Sequence, residues 1–369
     1  MEVERIANRF VCDLVAYEPG KPIEETAREL GLRVEEIVKL ASNENPLGCS
    51  ASAREAMAEA LGQAHIYPDG GAWRLREAIA AKHGLAMDNV VVGNGSNEII
   101  ELLCHSFLNP QASLVAAEHA FVVYKLMATL FGAGYVEVPD PGFVHDLAAM
   151  AEAAAEPGVR LVFVANPNNP TGTMVGQEAL DRFVESLPEH AIAVFDEAYF
   201  EYAGPEMPNT VKYVREGRNV CVLRTFSKAH GLAALRVGYG LAPAGLAGVL
   251  QKARQPFNVN AVAQAGALAS LADAGHVEMS REMNRAGMER LEREFAARGI
   301  ETVPSRANFL LARVGDGDAM FQALLREGVI VRAMSGYKLP EWVRVTIGTP
   351  AQLDRFLDAL DKVRSRVDA

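Results

Sequence analysis

Lys228 closes the run Thr225-Phe226-Ser227-Lys228, and Arg236 stands eight residues further on in Gly231-Leu232-Ala233-Ala234-Leu235-Arg236-Val237-Gly238. A lysine at the mouth of an apolar strand, beside hydroxyls and within loop reach of an arginine, can hold an aldehyde cofactor covalently and grip its phosphate. The amine reacts only when it is not locked as an ammonium, and partial burial beside a cation such as Arg236 lowers a lysine pKa toward neutrality. The planar fork of Arg236 suits a phosphate dianion, while the hydroxyls of Thr225 and Ser227 can donate to its remaining oxygens. An isolated Ser-Lys after a strand reads as an ordinary surface pair; the long flanking pattern favours the chemistry.

Other polar groups fall just after apolar runs. Asp196 ends Ile192-Ala193-Val194-Phe195, and a carboxylate there can pair with a protonated pyridine nitrogen, making the ring an electron sink. Tyr199 lies near enough to reach a phenolic oxygen on such a ring. Asn169 sits in Asn166-Pro167-Asn168-Asn169-Pro170-Thr171-Gly172, whose prolines and asparagines fix a turn able to present an amide inward. Gly95, Ser96 and Asn97 offer backbone N–H groups at a helix N-terminus, a phosphate cradle. Pyridoxal phosphate is the cofactor that this set fits. Taken singly, Asp196-Glu197 reads equally as a turn cap and the asparagine run as a stiff loop. The rival is a dinucleotide site at Gly93-Asn94-Gly95, but Glu98 occupies its third glycine position, where a carboxylate would oppose a pyrophosphate.

The elements that must carry these residues follow from periodicity. Residues 89–100 read as a buried strand, a tight glycine turn and a helix starting near Ser96. Apolar strands recur at 160–165, 191–195, 220–223 and 237–241, separated by helical stretches such as 177–186. Such alternation predicts an α/β fold with a mostly parallel sheet covered by helices, whose strand ends gather the ligands. An alanine-rich stretch at 243–272, broken by Pro256, reads as a connector between domains. Beyond it, strands at 308–314, 329–332 and 343–347 alternate with amphipathic helices at 279–298, 318–327 and 351–364, a smaller α+β domain. The expected divisions are an arm at 1–45, a large cofactor-binding domain at 46–260 and a small domain at 261–369, with the arm making partner contacts and counted with the small domain.

Composition bounds the function. With 369 residues, half of them hydrophobic, the chain can build a large core and a smaller one. A net charge of -11 opposes nucleic acid or an anionic membrane as partner, so an anionic substrate needs a local arginine cluster. No apolar run is long enough to span a bilayer and the N-terminus lacks a leader pattern, so a cytoplasmic location is expected. Cys12, Cys49, Cys104 and Cys221 have neither Cys-x-x-Cys spacing nor histidine partners, which points to small core residues and away from disulfides or a metal site.

Asn169-Pro170-Thr171-Gly172, Asp196-Glu197-Ala198-Tyr199, Ser227-Lys228 and Arg236 together resemble the fold-type-I aminotransferases in order and spacing. Ala41-Ser42-Asn43-Glu44-Asn45-Pro46, Tyr67-Pro68-Asp69-Gly70, Asn308-Phe309, Val331-Arg332, Gly336-Tyr337, Leu339-Pro340 and Val343-Arg344-Val345-Thr346-Ile347-Gly348 narrow the resemblance to the histidinol-phosphate aminotransferase family, over nearly the whole chain. It implies a seven-stranded large sheet and transamination of histidinol phosphate with 2-oxoglutarate, giving imidazole-acetol phosphate and glutamate in histidine biosynthesis. It further implies that Lys228 is the catalytic base and that Phe121 stacks on the cofactor ring. Tyr67 would reach the phosphate of a neighbouring subunit, so the active site of a homodimer would be shared. Arg344, Arg332, Asn169 and the partner arm's Tyr17 would bind substrate. Alone, Phe121 reads as a core aromatic, and Arg332 and Arg344 as surface ion-pair residues. An aromatic amino-acid aminotransferase, a phosphoamino-acid decarboxylase and a nicotinamide oxidoreductase are the competing readings.

Overall fold

The computed structural model describes residues 3–16 and 20–367. Seven strands form the large sheet in the order Val90–Gly93, Gly238–Leu241, Val220–Thr225, Ile192–Asp196, Val159–Ala165, Ser113–Ala117 and Gly134–Val138. Only Gly238–Leu241 runs against its neighbours. The central strands are buried along their length except at Arg160, as continuous runs such as Val-Phe-Val-Ala require when helices cover both faces. One core lies on each face of the sheet, built around Ile79, Phe183 and Phe195 on one side and Ile99, Leu103 and Phe163 on the other.

Five of these strands are those expected from apolar runs, and the structure adds Ser113–Ala117 and Gly134–Val138 at one edge. The outer one is only half-buried over most of its length, and neither Ser-Leu-Val-Ala-Ala nor Gly-Tyr-Val-Glu-Val carries a continuous β-branched run.

The second sheet is antiparallel, in the order Arg332–Ala333, Trp342–Thr346, Phe309–Arg313 and Thr302–Val303. The expected single strand at 329–332 is two: Val329–Ile330 pairs with Val38–Lys39 of the N-terminal segment, then Arg332–Ala333 pairs with Trp342–Thr346. Each half serves a different partner, which period-2 reading of one apolar run cannot reveal. Helices Ala274–Ala297, Gly317–Arg326 and Pro350–Val367 cover this sheet through a third core around Leu291, Phe295, Leu324 and Phe356. The N-terminal helix Ile23–Leu30 packs on the same unit, Ala27 against Leu325 and Ile330.

The alanine-rich stretch is not a bare connector. After Pro256, helix Ala261–Ala272 lies against Ala51–Leu61, and its Ala263 and Ala267 belong to the large core. Small side chains let the two backbones approach: a Cβ on Gly266 would stand 2.9 Å from Met57 Cγ. The large core thus runs past the expected division at 260/261. The change of core comes at Asp273, whose carboxylate accepts from the His276 N–H and caps the next helix. Of the cysteines, Cys104 and Cys221 are buried as expected, whereas Cys49 is half-buried and Cys12 exposed. Among the described residues no helix is long and apolar enough to cross a membrane.

Candidate active site

A cavity of about 450 Å³ opens at the C-terminal ends of the parallel strands, against the small sheet. It gathers Ser96, Asn97, Phe121, Asn169, Asp196, Tyr199, Thr225, Ser227, Lys228, Arg236, Arg332 and Arg344, residues drawn from both ends of the chain. Gly95 supports it from behind. Its φ of +79° suits glycine, and a Cβ there would stand 2.5 Å from Arg236 Nη2. One expected residue lies elsewhere. Tyr67 is 80% exposed, stacked on Phe257 at 4.8 Å, and does not line this chain's own cavity. Tyr17 lies outside the described residues.

Lys228 follows strand Val220–Thr225, where the chain turns into the Ser-Lys loop. Its Nζ donates to the Ser42 carbonyl at 3.4 Å and stands 5.6 Å from the centre of the Tyr199 ring. Burial lowers its pKa to about 8, with Arg344 next in effect and Arg236 behind it. The cation expected to depress this lysine was Arg236; the stronger one is Arg344, delivered from the small sheet. Thr225 Oγ1 donates to Ser227 Oγ at 3.0 Å, and Arg236 Nη1 reaches the same Ser227 oxygen at 3.4 Å. Hydroxyls, guanidinium and the first N–H groups of helix Ser96–Phe107 thus converge on one phosphate-sized corner.

Asp196 ends its strand with its side chain buried. Oδ2 accepts from the Tyr124 hydroxyl at 2.7 Å, while Oδ1 is buried without a hydrogen-bond partner. A buried carboxylate oxygen left open toward a cavity is a poor design for stability and a good one for a cationic N–H. The same pocket holds Phe121, whose ring meets Tyr124 edge-on at 5.7 Å. An orphaned acceptor, a glycine-walled anion corner and a depressed lysine are together the fittings that pyridoxal phosphate needs.

The second end of the cavity is cationic. Strand register sets Arg332 directly opposite Arg344. Like charges facing each other across a ladder cost stability, and an anion between them removes that cost. Arg344 is buried, donating to Asn169 Oδ1 and to the Ala41 carbonyl at 2.8 Å. Asn169 is thus aimed into the site, while Asn166 and Asn168 hold the loop itself through Val175, Thr171 and the His119 carbonyl. Glu98, which counted against a pyrophosphate, accepts from the Asn94 N–H and from Asn258 and so braces the glycine turn.

Asn43 and Tyr124 have roles that their sequence context does not announce. Asn43 donates to the Tyr199 hydroxyl at 2.8 Å and exchanges hydrogen bonds with Thr346, tying the N-terminal segment to both sheets at the cavity. Its φ of +55° lies in the left-handed region, which asparagine is among the few residues to accept. Tyr337 also lines the cavity. Among the described residues, Glu118, His119 and Asp140 have the spacing of a metal site, but His119 Nδ1 is already bonded to Asp140 at 2.7 Å.

The fold and this cavity define an aminotransferase of the class I and II family, whose sequence profile matches residues 35–360. A histidinol-phosphate aminotransferase of Akkermansia muciniphila is 55% identical over 98% of this chain and 100% of its own, and histidinol-phosphate aminotransferase 2 of Pseudomonas fluorescens is 48% identical over 98% of each. The chain belongs to the histidinol-phosphate aminotransferase family within that class. The solved structure of the Sinorhizobium meliloti histidinol-phosphate aminotransferase, in complex with pyridoxal-5'-phosphate, superposes with a TM-score of 0.89 at 26% identity, covering 97% of each chain.

Proposed function

We propose that this chain transaminates histidinol phosphate with 2-oxoglutarate, using pyridoxal phosphate held by Lys228. The observation that carries the reading is one cavity uniting a neutralisable lysine, an open buried carboxylate oxygen and a pair of facing arginines. Similarity to relatives of that name supports the substrate.

When bound, the cofactor supplies an electron sink for the bonds of the substrate's amine-bearing carbon. The protein's part is positioning and proton transfer. Asp196 Oδ1 would accept a hydrogen bond from the protonated ring nitrogen, Phe121 would cover the ring face, and Tyr199 and Asn169 would address the phenolic oxygen. Gly95, Ser96, Asn97, Thr225, Ser227 and Arg236 hold the phosphate. Lys228 Nζ, with a pKa near 8, is neutral often enough to take the proton from the substrate carbon and return it on the cofactor side. Arg344, Arg332 and Asn169 hold the substrate's anionic group, with 2-oxoglutarate's carboxylate taking the same place in the second half-reaction.

The active enzyme is a homodimer in this account. Tyr67 projects outward beside Phe257, where it is available to a neighbouring subunit's phosphate and not to its own. Tyr17 is assigned to the partner's substrate site by family resemblance alone. An acidic chain with this biosynthetic role belongs in the cytoplasm. The test is Lys228→Ala: the purified variant keeps cofactor non-covalently and forms no glutamate from histidinol phosphate and 2-oxoglutarate. Turnover by that variant within tenfold of the parent excludes Lys228 as the proton carrier.

A further inference from the structure

Tyr124 lies on helix Val123–Leu130, whose pattern of Val123, Tyr124 and Ala128 reads as an inward apolar stripe. Its ring stacks on Phe163 at 4.3 Å with planes 18° apart, and is fully buried. Phe163 belongs to the strand beside Ile192–Asp196, and in register Ala165 faces Asp196. The stack thus fixes the Tyr124 hydroxyl at the strand end, where it donates to Asp196 Oδ2 at 2.7 Å. The same ring supports Phe121 edge-on at 5.7 Å. One side chain therefore braces both groups that would meet the cofactor ring, the carboxylate at its edge and the aromatic over its face.

We infer that Tyr124 is a positioning residue for the cofactor: its hydrogen bond holds the Asp196 carboxyl turned so that Oδ1 faces the ring nitrogen. The argument is geometric. A carboxylate has two oxygens, and in this buried place only one has a protein partner. With Oδ2 committed to Tyr124, rotation of the carboxyl would break a buried charge-assisted hydrogen bond, so Oδ1 is the oxygen presented to the cavity. Burial favours the neutral acid and raises the Asp196 pKa, whereas the Tyr124 hydrogen bond, then the Ala198 backbone N–H and the charge of Lys228, oppose that rise. Tyr124 itself stays a donor, its pKa held well above the usual value by burial and by Asp196. By opposing that rise, the Tyr124 hydrogen bond favours a shared proton resting on a pyridine nitrogen, the form that draws electrons.

This inference rests on the reading that Asp196 addresses the ring nitrogen, and the experiment separates the two. Holoenzyme is prepared with pyridoxal phosphate labelled with ¹⁵N in the ring, as the parent, as Tyr124→Phe and as Asp196→Asn. Tyr124→Phe removes one atom and leaves the stack on Phe163 in place. The expected result is a ring ¹⁵N resonance moved toward neutral pyridine and a cofactor dissociation constant raised roughly ten- to a hundredfold, the span of one hydrogen bond to a charged group. The KM for histidinol phosphate stays within about threefold, because no substrate contact is lost. A Tyr124→Phe resonance at the parent position while Asp196→Asn shifts overturns the role of Tyr124 alone. An unshifted resonance in Asp196→Asn overturns the reading of Asp196 and this inference with it. Lower thermal stability of Tyr124→Phe with unchanged resonance and cofactor affinity reduces Tyr124 to a packing residue.

Discussion

At the scale of residues, chemistry is placed by what burial does to charge. Lys228 is lowered to about 8 by burial and by Arg344, so below pH 8 most of its amine is an ammonium and cannot attack an aldehyde. Reconstitution of apo-enzyme with pyridoxal phosphate is therefore expected to slow about tenfold for each pH unit below 8 and to be level above it. A stopped-flow rate that is flat from pH 6 to 9 contradicts this assignment. Next to Asp196 lies a different kind of charge: Glu197 and Arg224 form a fully buried ion pair at 2.8 Å, with Thr210 on the other carboxylate oxygen and the guanidinium 3.6 Å from the Phe200 ring centre. Arg224→Met should destabilise by about 3–5 kcal/mol by stranding Glu197, and the double variant with Glu197→Gln should recover most of that in denaturant melts. Asp196 and Lys228 are marked in the sequence by the strands that end at or just before them, and Arg236, which precedes a strand, by its spacing from Lys228. Tyr124 is not, since a tyrosine inside an apolar helical stripe has the same signature whether its hydroxyl is idle or bonded.

Elements convert those residues into a site, and here register does what spacing cannot. Arg332 and Arg344 are 12 positions apart in sequence and become neighbours only because the two short strands pair antiparallel. The sequence marks both arginines, but their juxtaposition follows from the break after Val329–Ile330, which no alternation pattern exposes. Arg344→Lys keeps the charge and loses the fork that binds Asn169 and an anion together; KM for histidinol phosphate should rise about tenfold or more with a smaller change in kcat. Steady-state kinetics showing an unchanged KM would remove Arg344 from substrate binding. The alanine-rich helix Ala261–Ala272 gives the second case. Composition made it look like a connector, yet its small residues are what close packing against Ala51–Leu61 demands. Gly266→Val should cost about 1–3 kcal/mol by overpacking against Met57 and lower Tm accordingly.

The whole molecule places one cavity at the meeting of two sheets, closed on one side by the N-terminal segment through Asn43. Its α/β class, the mostly parallel sheet and the smaller second unit were readable from alternating periodicities. The position of the division was not, because a helix that joins two units carries the same apolar pattern as one that belongs to either. Assembly makes its own prediction through Tyr67, which is exposed and does not line its own chain's cavity. Lys228→Ala and Tyr67→Ala subunits are each expected to form impaired homodimers. Refolded together, they should regain up to about half of the parent activity per mixed dimer, since one of the two sites then has an intact lysine and an intact partner tyrosine. No recovery on mixing would mean that each subunit completes its own site.

The central claim is that this cavity selects a phosphate ester as its amine donor, and the most direct measurement is kcat/KM for histidinol phosphate against phenylalanine, with 2-oxoglutarate as acceptor. Two facing arginines matched to a dianion predict a preference for histidinol phosphate of about a hundredfold or more. Equal values, or a preference for phenylalanine, would contradict the account and assign the same machinery to aromatic amino acids.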